Sequence, residues 1–157
     1  MFLERESSLA ELRSCWEGAC STAGCIVLVG GEAGIGKTTL LQAFAGSLAK
    51  ARVLWGGCDA LFTPRPFAPL HDMARQSSPA LGKALAGGAG RDVIFSAMLD
   101  ELETPSTLAI FEDMHWADEA TLDLVKYVGR RIQRSRSMII ISYRHDEVGA
   151  QHPLRLL

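Results

Sequence analysis

No run of apolar residues in this 157-residue chain approaches the roughly 18 that a membrane-spanning helix needs. The opening Met1-Phe2-Leu3-Glu4-Arg5-Glu6 also lacks the basic-then-apolar order of a signal peptide, so a cytoplasmic protein is expected. An excess of positive charge is missing too. The 16 Lys and Arg stand against 18 Asp and Glu, a net charge of −2, which gives no overall pull toward nucleic acid or an anionic membrane. The cysteines are few and unpaired. Cys15, Cys20, Cys25 and Cys58 form no Cys-x-x-Cys pair and have no histidine close in sequence to complete a tetrahedral zinc set, so buried reduced thiols are expected. There is no internal repeat and no low-complexity tract. With 48% hydrophobic residues, the length suits one core and one domain over 1–157.

The most informative stretch is Gly31-Glu32-Ala33-Gly34-Ile35-Gly36-Lys37-Thr38, directly after the apolar run Cys25-Ile26-Val27-Leu28-Val29. It fills every fixed position of the phosphate-binding P-loop pattern. A strand delivers the loop, glycines let backbone N–H groups curl around phosphate oxygens, and a helix from about Lys37 presents its positive end. The residues from Gly31 to Thr38, with Thr39 behind them, are the expected phosphate contacts. The Lys37 ammonium is expected to reach the β- and γ-phosphates, and the Thr38 hydroxyl to be an oxygen ligand to magnesium. A turn that binds nothing has no need for Gly-Lys-Thr at its end.

Along the chain, Ser8 to Glu11 reads as a capping box opening a helix whose face is Leu9, Leu12 and Trp16, ended by Gly18 to Gly24. A second helix is expected from Lys37 to Lys50, burying Leu40, Leu41, Phe44 and Leu48, then a strand over Arg52 to Gly57 with Cys58 at its close. Pro64, Pro66 and Pro69 mark an irregular loop, with a helix resuming at Pro69. Pro79 and the glycines between Ser77 and Gly90 predict a flexible stretch before a helix over Asp92 to Glu103 that buries Val93, Phe95 or Ile94, and Leu99. Leu108 to Phe111 and Met138 to Ile141 read as parallel strands covered on both faces. Between them, Asp118 can cap a helix lined by Leu122, Val125, Val128 and Ile132. Arg130, Arg131 and Arg134 complement its carbonyl end, and that role, rather than DNA binding, is assigned to the arginine cluster that ends at Arg136. The alternation predicts an α/β fold: a parallel sheet with helices on both faces.

Two acids, Glu112 and Asp113, follow the strand Leu108 to Phe111, where ligands gather in open α/β sheets. This is a Walker B arrangement. Glu112 stands where an aspartate usually supports magnesium, and Asp113 where an acid orients or deprotonates the attacking water. The longer Glu112 reaches the metal through a water, or Asp113 shares the metal, and both arrangements stay open. After the strand Met138 to Ile141, Arg144 is a candidate to face the γ-phosphate, the other reading being a surface arginine. His115 can bond a phosphate or a carbonyl, and Trp116 is expected to pack beneath the site.

Phe2-Leu3-Glu4-Arg5-Glu6, the P-loop, Gly57-Cys58-Asp59 with Thr63-Pro64-Arg65-Pro66, the run Glu112 to Asp118, and Tyr143-Arg144 occur in an order that resembles the ATPase module of large bacterial LuxR-type regulators. Those are signal-transduction ATPases with numerous domains, of the AAA-like P-loop class, and related modules accompany some nucleotide cyclases. The resemblance implies an ATP- and magnesium-dependent switch with slow hydrolysis, in which Arg5 lies near the adenine. No Asn-Lys-x-Asp run for guanine is present. It also implies the strand order five, one, four, three, two, of which the fifth strand, the lid, the helical repeats and the helix-turn-helix are expected to be absent here. The strand Ile26 to Val29 would then be an edge, favouring self-association or a missing C-terminal half, with no direct nucleic-acid contact. A non-hydrolysing nucleotide-binding or assembly module is the alternative.

Overall fold

Four apolar segments become strands because each is short, rich in branched residues and bounded by turn-forming residues. The structure is a computed structural model and describes residues 2–156. The strands are β1 (Cys25–Gly31), β2 (Arg52–Gly57), β3 (Thr107–Glu112) and β4 (Met138–Arg144). The helices are α1 (Phe2–Ser21), α2 (Lys37–Gly46), α3 (Ala68–Met73), α4 (Pro79–Ala86), α5 (Arg91–Glu103) and α6 (Glu119–Gly129). Short 3-10 turns cover Met114–Trp116, Ile132–Arg134 and Pro153–Leu156. No helix among the described residues is long and apolar enough to cross a membrane.

All strand pairs are parallel, in the order β1-β4-β3-β2. This matches the expected order, with β1 paired to β4 alone among the described residues. Helices α1 and α2 cover one face, where Leu12, Leu41 and Phe44 meet Leu108, Ile110, Met138 and Ile140. Helices α3 to α6 cover the other, where Leu70, Leu81, Met98 and Val125 meet Leu54, Phe111, Ile139 and Ile141. Each such buried side chain contributes about 1.5–3 kcal/mol. Parallel register brings Gly31 beside Arg144 and Gly57 beside Glu112, so the candidate residues share one rim of the sheet.

At the outer edge of β2, the Gln76 side chain takes the place of a neighbouring strand. Its Oε1 accepts from Trp55 N at 2.9 Å and its Nε2 donates to Trp55 O at 3.1 Å. Gly56 permits this closeness: a Cβ there would run into the Pro69 backbone of α3. At the opposite end of the sheet, Arg52 and Ser78 both bond the buried carboxylate of Glu101. Burial raises the Glu101 pKa, but the bonds from Ser78 and Arg52 outweigh it and hold the carboxyl below its ordinary range.

Several expectations need correction. The helix α1 is already formed at Phe2 and runs past Gly18 to Ser21, so Ser8 and Glu11 lie inside it and form no capping box. Helix α2 stops at Gly46, short of Lys50, with Leu41 and Phe44 buried and Leu40 and Leu48 only partly so. The stretch from Ser77 to Gly90 holds α4, started by Pro79 at a position where its missing N–H costs nothing and pinned by buried Leu81 and Ala84. In α5 the inner face is Ile94, Ala97, Met98 and Leu102, while Val93 is 48% exposed, because packing against α4 and α6 rotates the helix. Strand β2 ends at Gly57, before Cys58. The four cysteines are free as expected, yet Cys58 alone is buried and Cys15 is exposed.

The expected cap of α6 is formed: Asp118 accepts from Thr121 N at 3.2 Å. Leu122, Val125, Val128 and Ile132 are all buried, Ile132 in the turn beyond the helix. Of the arginine cluster, Arg131 donates to Tyr127 O at 3.0 Å, and Arg136 donates to Cys20 O and Ser21 O, closing α1 instead.

Candidate functional site

The loop from Gly31 into α2 has the shape its glycines allow. Gly34 and Gly36 take φ of 73° and 95°, values at which a Cβ is strained. Gly36 is the N-cap of α2 and offers no side chain to its N–H groups, which leaves them for an outside acceptor. Lys37 Nζ bridges Gly31 O and Glu32 O, each at 2.9 Å, so the ammonium stands at the mouth of the loop. Glu32, Ala33, Gly34 and Ile35 are exposed along its outside, and Thr38 and Thr39 begin the helix. A cleft of about 440 Å³ runs along the loop, lined by Arg5, Ser8, Val29, Ile35, Lys37 and Leu40 among others. The Arg5 guanidinium lies against Gly36, in the place a Cβ would occupy.

Glu112 closes the other side. Thr38 Oγ1 donates to Glu112 Oε1 at 2.7 Å, and Trp55 Nε1 donates to Oε2 at 2.8 Å. The carboxylate expected to support a cation is thus beside the hydroxyl expected to ligate it. Asp113 follows at φ 54°, a left-handed conformation, with its N–H donated to Ser142 Oγ at 3.1 Å. That bond ties the end of β3 to β4.

Arg144 sits in register with Gly31, on the strand next to the P-loop strand. Its Nη1 donates to Glu147 Oε1 at 2.8 Å, and its guanidinium lies 4.9 Å from the centre of the Trp116 ring. Trp116 Nε1 donates to Glu147 Oε2 at 2.8 Å. Trp116 is therefore partly buried beneath this corner, near its expected place. His115 bonds no carbonyl: among the described residues both of its buried ring nitrogens lack a partner, and Glu147 Oε2 at 3.8 Å is too far. Burial above all lowers its pKa, Arg144 and Lys37 adding to the effect and Glu147 and Asp113 opposing it, so the imidazole is held neutral. At the neighbouring β2 end, burial and then Asp118 push the Cys58 thiol up to about 12, leaving it unreactive.

A family model described as "AAA ATPase domain" matches residues 1–141. The chain belongs to the AAA ATPase domain family. Membership makes this a nucleotide-binding domain of a class that works with ATP and magnesium. The fold is similar to that of a chain in "Structure of Drosophila ORC bound to DNA", at a TM-score of 0.59 and 16% identity, over 96% of this chain and 79% of that one. At that identity the likeness concerns the fold alone. No curated protein matches the sequence.

Trp55 and Glu147 were not singled out in the sequence. Trp55 stands two residues before Gly57, and its role depends on the β2–β3 register, which the order of residues does not carry. Glu147 lies three residues after Arg144, a spacing that is itself a signal for pairing.

Proposed function

We propose that this AAA ATPase domain is an ATP- and magnesium-dependent switch with slow hydrolysis, of the kind found in LuxR-type signal-transduction regulators. The observation that carries the reading is the meeting of Thr38 and Glu112 at 2.7 Å beside Lys37 and the uncapped start of α2. Two hard oxygen donors, one cation and free N–H groups at one rim fit a magnesium-bound polyphosphate. Among the described residues no group of three His, Cys, Asp or Glu could hold a metal by itself, which agrees with a cation held partly by substrate phosphates.

In this reading Lys37 leaves its loop carbonyls for phosphate oxygens, and Thr38 and Glu112 hold the cation. A bound magnesium ion supplies positive charge against the phosphates. Asp113, next on the same strand end, orients a water and accepts its proton on the carboxylate. Arg144 faces the γ-phosphate, and its engagement by Glu147 favours slow turnover. Arg5 borders the base or ribose end of the cleft. The regulator context rests on the sequence motifs, and the edge strand β1 supports self-association or a partner domain.

Equilibrium binding of a fluorescent ATP analogue to Lys37→Ala tests the reading. Affinity is expected to fall severely, and unchanged affinity in a folded variant would remove the P-loop assignment.

A further inference from the structure

The Walker B position carries a glutamate where an aspartate is usual, and the neighbouring strand supplies a reason. Side chains two apart on a strand share a face, so Trp55 lies on the same side of β2 as Gly57, the residue in register with Glu112. Gly57 adds no side chain between them. The indole therefore runs along the sheet to the end of β3, on the α1 and α2 face where Trp55 packs against the core cluster that includes Leu41, Phe44 and Ile110. Because Thr38 opens α2, which covers this same face, its hydroxyl approaches Glu112 from the other side. The two oxygens of one carboxylate then have different partners, Thr38 on Oε1 at 2.7 Å and Trp55 on Oε2 at 2.8 Å.

We propose that Trp55 is a positioning residue for the cation site: its indole N–H fixes Glu112 Oε2, so that Oε1 is the oxygen turned toward a divalent cation beside Thr38. The inference rests on the magnesium–nucleotide reading above. An indole N–H only donates, so Trp55 neither ligates a metal nor takes a proton, and its effect on the site passes through Glu112. The bond is charge-assisted and thus of the stronger kind. Its donor is held still, because Gln76 closes both backbone groups of Trp55 on the open edge of β2. The extra methylene of Glu over Asp carries the carboxylate out to the indole. Outer-shell partners of this type orient a ligand and confine it to one geometry.

Magnesium titrations of fluorescent-ATP-analogue binding, on the full chain, test the role. For Trp55→Phe the magnesium concentration at half-saturation is expected to rise roughly ten-fold, with analogue binding in EDTA unchanged. Glu112→Asp, which shortens the acid away from the indole, is expected to raise it similarly, and adding Trp55→Phe to Glu112→Asp to change little more. A chain keeping Trp55 as its single tryptophan gives a reading that needs no change at Trp55: its emission is expected to shift on Glu112→Gln and on adding magnesium with nucleotide. A normal magnesium requirement in Trp55→Phe, fully additive effects in the pair, or emission indifferent to Glu112→Gln each overturns the proposal. Wild-type chain that binds no magnesium–nucleotide would instead overturn the reading of the whole site, and the proposal with it.

Discussion

Arg144 and Glu147, three residues apart across the turn that follows β4, share a hydrogen bond of 2.8 Å. The same carboxylate holds the Trp116 indole, so the cation proposed to sense the γ-phosphate is tied to the segment after Asp113. A phosphate must compete with Glu147 for Arg144. Glu147→Gln is therefore expected to raise ATP affinity about three- to five-fold, the roughly 0.6–1 kcal/mol of a partly exposed pair, and to leave ADP affinity unchanged. Parallel titrations of both nucleotides check this. Equal changes for ATP and ADP would detach Arg144 from the γ-phosphate.

Asp113 and Glu112 are adjacent but differently engaged, which separates their expected phenotypes. Asp113→Asn keeps the side chain's size and removes the base, so nucleotide affinity should persist while phosphate release falls at least about 100-fold. Glu112→Gln should instead blunt the magnesium dependence of binding. Phosphate release at the wild-type rate in Asp113→Asn would take that residue out of the mechanism.

His115 gives the fold a pH dependence near neutrality. Burial holds its pKa below the ordinary 6.5, so between 6.5 and the lower folded value the unfolded chain binds a proton that the folded chain does not. The contribution is complete above pH 6.5 and is lost as pH falls through that window, by up to about 1.4 kcal/mol per pH unit. Burial lowers His71 as well, so the test is a difference between variants. Denaturant midpoints from pH 7.5 to 5.5, reported as roughly one-unit steps, are expected to decline less in His115→Leu than in wild type. Identical slopes would show that His115 takes no part in the pH dependence.

The free side of β1 bears on association. Leu28 is 44% exposed on this strand, an apolar side chain on an edge that, among the described residues, pairs with β4 alone. Light scattering over a concentration series should show wild-type chain associating and Leu28→Lys shifted toward monomer. A wild-type chain that stays monomeric at high concentration would contradict the edge's proposed role.

The strands and the P-loop were legible because their information is local. Continuous apolar runs define β3 and β4, and Gly34 and Gly36 declare the loop's backbone directly. Helix α4 was not, since Gly82 and the glycines that follow the helix outweigh Leu81 and Ala84 locally and only packing against α5 decides the balance. Ser8 and Glu11 misled for the same reason: a capping pattern also fits a helix interior, and the start of α1 lies upstream. The bonds of Trp55 to Glu112 and of Asp113 N to Ser142 join different strands, so they follow from register. No spacing along the chain encodes that register.

Arg52, Ser78 and Glu101 meet at the end of the sheet farthest from the P-loop, and their cluster contains none of the groups proposed to touch nucleotide. One stabilising cluster and the candidate chemistry thus occupy opposite poles of one molecule. A lineage could retune its tolerance of heat or acid at the Glu101 pole without disturbing affinity at the other. A defect confined to that pole would reveal itself as a shortage of working molecules, each of them working normally.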